Sequence, residues 1–147
     1  MRIVLDTNVL VSAFISKRGH SARILDLALM FEEIQLVLSE PILDEFEDVL
    51  SRDEVKERFG YSNREIEFLA QSVRKISTIV EARPGFTIVK EDPKDDVVLN
   101  TAYEGKADYV VSGDHHLLNL KSFKGIKVIS PKQMMNIITR RFGEFII

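Results

Sequence analysis

The chain has 147 residues, 45% of them hydrophobic and 29% charged, enough to bury the core of a single globular domain. It contains no cysteine, which excludes a disulfide framework and a thiolate metal site. A formal charge of −3 argues against simple coating of duplex nucleic acid, but not against a nuclease whose acids hold cations.

The first apolar run, Ile3-Val4-Leu5, is short and uninterrupted, as in a strand buried on both faces. It ends at Asp6, Thr7 and Asn8, so the N-terminus does not read as a signal peptide. No later run approaches the length of a membrane span, and the cytoplasm is the expected compartment. Residues 8–15 and 21–31 read as helices separated by Ser16-Lys17-Arg18-Gly19-His20. Residues 34–38 form the next strand. Pro41 suits the first turn of a helix reaching Leu50, with a shorter helix to Phe59. Gly60 to Asn63 is a break carrying a capping residue. Ile66, Leu69, Ala70, Val73 and Ile76 then recur at helical spacing.

Ile79-Val80 predicts a short strand, Arg83-Pro84-Gly85 a turn, and residues 86–89 an extended stretch. A helix capped by Asp95 or Asp96 runs through Tyr103, and Asp92, before Pro93, reads as a cap or a solvated turn residue. Residues 109–111 and 126–129 are strands, Ser130-Pro131 opens a last helix to Arg141, and 145–147 is an apolar tail. Alternating strands and helices imply a mainly parallel sheet covered by helices on both faces, an α/β sandwich of three layers. In such sheets ligands bind beyond the carboxyl ends of the strands, where the strand order reverses.

Acids fall on that rim. Asp6 directly follows the first strand, and Asp114 follows residues 109–111 after Ser112-Gly113. Glu45 lies three residues after Ile42 and four before Val49, so it shares their apolar face, whereas Asp44, Glu47 and Asp48 point elsewhere. Asp95 precedes Val98, Leu99 and Ala102 at helical spacing and is the better inward acid, with Asp96 close behind. Each acid alone also fits a cap or a turn. Together, four converging carboxylates would repel one another unless a cation neutralised them. All-oxygen donors suit Mg2+ or Mn2+, ions that promote displacement at phosphorus. The residues alone therefore read as metal-assisted phosphoester hydrolysis.

Three stretches, MRIVLDTNVLVSAF, SEPILDEFEDVL from Ser39 and DPKDDVVLNTAYEGKADYVVSGDHHLL from Asp92, resemble the PIN domain family over nearly the whole chain. The likeness is greatest to the branch of toxins from prokaryotic toxin–antitoxin pairs. It implies a Rossmann-like fold and a Mg2+- or Mn2+-dependent ribonuclease acting on single-stranded RNA. It also implies an antitoxin that masks the site, and a homodimer; the apolar tail at 145–147 either contributes to that dimer or tucks into the core. The implied acidic set is Asp6, Glu45, Asp95 and Asp114, with Asp96 sharing or replacing the role of Asp95. Asn8 and Ser112 match small polar positions that would hydrogen-bond the acids or bound water. His115 and His116 follow Asp114 and are candidates for touching substrate. Lys17, Arg18 and Arg23 are candidates for meeting its phosphates, against the plainer reading as solvated surface. A phosphatase with an aspartyl nucleophile is disfavoured, because Asn8 stands where a second aspartate is needed. The alternative of another class is a catalytically weak module that binds RNA or protein.

Overall fold

The structure, a computed structural model, describes residues 1–82 and 93–145. The turn expected at 83–85, the extended stretch at 86–89, the role of Asp92 and the end of the apolar tail lie outside the described residues.

Strand β1 (Arg2–Leu5) leads into helix α1 (Thr7–Ile15), and α2 (His20–Met30) leads to β2 (Gln35–Leu38). Helices α3 (Glu40–Ser51), α4 (Asp53–Phe59) and α5 (Asn63–Ile76) follow, then β3 (Ser77–Ile79). After α6 (Pro93–Glu104) come β4 (Tyr109–Val111), α7 (His115–Leu120), β5 (Ser122–Phe123), β6 (Ile126–Ile129) and α8 (Pro131–Phe142). Local sequence explains the ends of several helices. Pro41 occupies the first turn of α3, and capping boxes start α5 (Ser62 with Glu65) and α8 (Ser130 with Gln133). Gly60, at φ 73°, ends α4 in the left-handed conformation.

Among the described residues six strands form one sheet in the order β3-β2-β1-β4-β6-β5. Every pairing is parallel except β5 with β6. Ile3, Val4 and Leu5 are all 0% exposed although successive side chains point to opposite faces, so β1 is covered on both sides. Helix α6 packs directly on β1, β2 and β4. Helix α1 packs on α2 and α3, α3 on α5, and α2 on α8. This is the expected sandwich, a mostly parallel sheet flanked by helices.

Four details differ from the sequence reading. The third strand begins two residues earlier, at Ser77, and ends at Ile79. Asp95 and Asp96 lie within the first turn of α6 and do not cap it, because the helix already begins at Pro93. Helix α7 and strand β5 were not anticipated. Strand β5 is only two residues long, and a tight turn with positive φ at Lys124 (51°) and Gly125 (82°) folds it back onto β6.

Candidate active site

The strand order reverses at β1. The chain leaves β1 toward β2 and β3, then returns to β4 on the other side. The β1–β4 register pairs Leu5 with Val111, so Asp6 and Ser112 are the next residues on adjacent strands. The Asp6 amide continues the ladder by donating to the Val111 carbonyl at 2.9 Å. The two side chains then meet at the crevice, and the Ser112 hydroxyl donates to Asp6 Oδ2 at 2.8 Å. The same Ser112 Oγ accepts the Asp114 backbone N–H at 3.0 Å, fixing the loop that carries Asp114. Ser112 is fully buried.

Asp6 is also a helix cap. Its Oδ1 accepts the Thr7 N–H at 2.7 Å at the start of α1. The capping and site readings are therefore both true, one for each carboxylate oxygen. Asp114 likewise caps α7, accepting the His116 N–H at 2.8 Å.

Glu45 reaches the group from α3. Its Oε2 accepts the Thr7 hydroxyl at 3.1 Å. Thr7 was not singled out in the sequence. Its signal was its place beside Asp6, at the first helical position after a buried strand. Asn8, beside it, is exposed and makes none of the hydrogen bonds to these acids among the described residues. The turn into α1 directs Thr7 inward and Asn8 to solvent. Asp44 and Asp48 are exposed on α3, off the apolar face that Glu45 shares, as expected. They line, with Glu45, a cleft of about 350 Å³ between α3 and α6 that Val97 and Val98 close from the far side. Asp48 lies three residues after Glu45 and four after Asp44, which sets the three acids on adjoining parts of one helix surface.

Asp95 is 3% exposed, and Asp96 beside it is half-buried. The far end of α6 lies at the start of β1, where the Arg2 guanidinium Nε donates to the Gly105 carbonyl at 2.7 Å. A helix running antiparallel to its strands then brings its first turn to their carboxyl ends. That is the rim occupied by Asp6. A hydroxyl pair holds α6 against the start of α3. Thr101 Oγ1 donates to the Val97 carbonyl at 2.7 Å, so the buried Ser39 hydroxyl 2.8 Å away must donate to Thr101.

The electrostatics follow from this packing. Burial pushes the Asp6 carboxyl above its ordinary value of 3.8. The hydrogen bonds from Ser112 and Thr7 offset part of the rise, and the negative charges of Asp114 and Glu45 add to it. A buried carboxylate facing two other carboxylates is suited to a divalent cation, and the donors are all oxygen. The residues present therefore fit a hard cation held by Asp6 together with Asp114 and Glu45.

His115 and His116 are exposed beside Asp114. Lys17, Arg18 and Arg23 are exposed as well. Lys17 and Arg18 follow the far end of α1, about 14 Å along its axis from its first turn, and Arg23 lies on α2.

The PIN domain profile matches residues 2–116. This chain belongs to the PIN domain family. Members of this family are generally nucleases, and they typically use divalent metals. An uncharacterized protein of Methanocaldococcus jannaschii is 31% identical over 155 residues, covering 99% of this chain and 94% of that protein. The crystal structure of VapBC2 from Rickettsia felis, bound to a DNA fragment from the promoter, contains a chain of similar fold. It superimposes with a TM-score of 0.61 at 14% identity, covering 88% of this chain and 98% of that one. No helix among the described residues is long and apolar enough to cross a membrane.

Proposed function

We propose that this PIN domain is a Mg2+- or Mn2+-dependent endoribonuclease of single-stranded RNA, and the toxin of a toxin–antitoxin pair. The observation that carries the reading is the buried Asp6 carboxylate at the strand-order reversal, held by Ser112 and facing Asp114 and Glu45. The fold shared with a chain of VapBC2 supports the toxin–antitoxin part. Asp6, Glu45, Asp95 and Asp114 are assigned as the acidic set, with Asp96 sharing or replacing the role of Asp95.

When bound, the cation supplies Lewis-acid polarisation of the scissile phosphate. The chain's own residues do the rest. Ser112 fixes Asp6 and the backbone before Asp114 with one hydroxyl. Thr7 holds Glu45 in reach of the same crevice. Glu45, half-buried and lining the cleft, is assigned the role of accepting a proton from the attacking water.

The test is cleavage of end-labelled single-stranded RNA with Mn2+, Mg2+ or EDTA, beside Asp6→Asn. Cleavage that needs both metal and Asp6 is expected. Cleavage that survives Asp6→Asn in clean protein refutes the site. RNA bound by the folded wild type without cleavage favours the binding module instead. The proposal includes a homodimer, which light scattering would report as twice the 16.8 kDa chain mass.

A further inference from the structure

Outside the buried acids, one side-chain cluster has a different donor chemistry. Asp114, His115 and His116 each offer a ligand atom, and these atoms lie within 4.8 Å of one another. Asp114 is half-buried and both histidines are exposed to solvent. Two independent contacts fix the cluster's backbone. Ser112 Oγ accepts the Asp114 N–H, and Asp114 Oδ1 accepts the His116 N–H. The two imidazole rings already stand side by side, with centroids 4.2 Å apart and planes tilted by 34°. Bonds of about 2.0–2.2 Å to one ion need donor atoms about 3–4 Å apart, which small rotations of exposed rings supply.

We propose that Asp114, His115 and His116 form a second cation site, which takes a borderline transition ion such as Zn2+, Co2+ or Ni2+ in preference to Mg2+. Imidazole nitrogens suit these ions, whereas Mg2+ takes oxygen donors and keeps much of its water. The site lies on the solvent side of the rim, where an ion from solution reaches it without disturbing the core. It shares only Asp114 with the proposed hydrolytic set and does not require that set to be active. Because Asp114 is common to both, a transition ion held by the imidazoles competes for that carboxylate and alters the cation preference of the buried site.

The test is Co2+ titration of the tag-free chain, followed by its visible absorption. Wild type is compared with Asp6→Asn and with the double variant His115→Ala, His116→Ala. The expected result is an imidazole-dependent band in wild type that persists in Asp6→Asn and in excess Mg2+. The double variant should lose the band and bind Co2+ at least tenfold more weakly. Zn2+ gives a second readout, because the chain has three histidines and His20, on α2, serves as an internal control. Two of the three imidazole proton signals should move with Zn2+ while the third stays. An unchanged spectrum and affinity in the double variant, or three unmoved signals, overturns the proposal. RNA cleavage is measured separately, so loss of the imidazole site is distinguishable from failure of the ribonuclease reading.

Discussion

Ser112 shows how much one hydroxyl can organise. It donates to Asp6 and accepts from the Asp114 backbone, so it sets the spacing of two acids just past the ends of adjacent strands. Ser112→Ala should leave the fold intact while leaving the buried Asp6 oxygen without its donor. We expect divalent-metal affinity to fall about 10- to 100-fold, the usual cost of losing such a supporting partner. Calorimetric titration with Mg2+ measures it, and unchanged affinity would show that the hydroxyl is dispensable. The identities of Asp6, Glu45 and Asp114 as rim acids were legible in the sequence because each sits at a fixed offset from an apolar run. The inward direction of Thr7 was not, because it depends on how the chain turns from β1 into α1.

At the scale of elements, the Ser39–Thr101 pair joins the start of α3 to α6, the helices that carry Glu45 and Asp95. Thr101→Val keeps the shape but removes the acceptor for the buried Ser39 hydroxyl. It should cost about 1–3 kcal/mol of stability, and adding Ser39→Ala should restore part of that loss. Urea unfolding of the two variants checks this, and strictly additive losses would argue against the coupling. The long helices were legible from periodicity and from caps such as Ser62 and Ser130. Helix α7 and strand β5 were not, since six and two residues are too short to display a period. The turn that forms β5 uses Lys124-Gly125, without the Asn or Asp that usually announces it.

Across the whole molecule, the site exists because strands far apart in sequence pair. Alternation of strands and helices implied a parallel sheet, but nothing local specified that β1 lies between β2 and β4. That order brings Asp6 beside Ser112, 106 residues later. The close seating of α6 on β2 is part of the same arrangement. A Cβ on Gly105 would lie 2.3 Å from Val37 Cγ1 and would drive α6 off the sheet. Gly105→Ala should destabilise by about 1–3 kcal/mol, seen as a lower thermal midpoint. An unchanged midpoint would mean that α6 yields easily.

The buried acid also sets the pH response of the metal-free protein. Below its ordinary value of 3.8, Asp6 is protonated whether the chain is folded or not. As pH rises above that value, the unfolded chain releases the proton first, so stability falls until the folded carboxyl ionises too. Above that point the penalty is complete, and a bound cation offsets it. Asp6→Asn removes the charge. Its amide can donate to Ser112 while its oxygen still accepts the Thr7 N–H. The most direct measurement is therefore thermal unfolding near neutral pH, with and without Mg2+, of wild type and Asp6→Asn. Mg2+ should raise the wild-type midpoint, whereas Asp6→Asn should start at least as high without metal and gain nothing from it. An equal Mg2+-induced rise in Asp6→Asn would contradict a cation site built on Asp6.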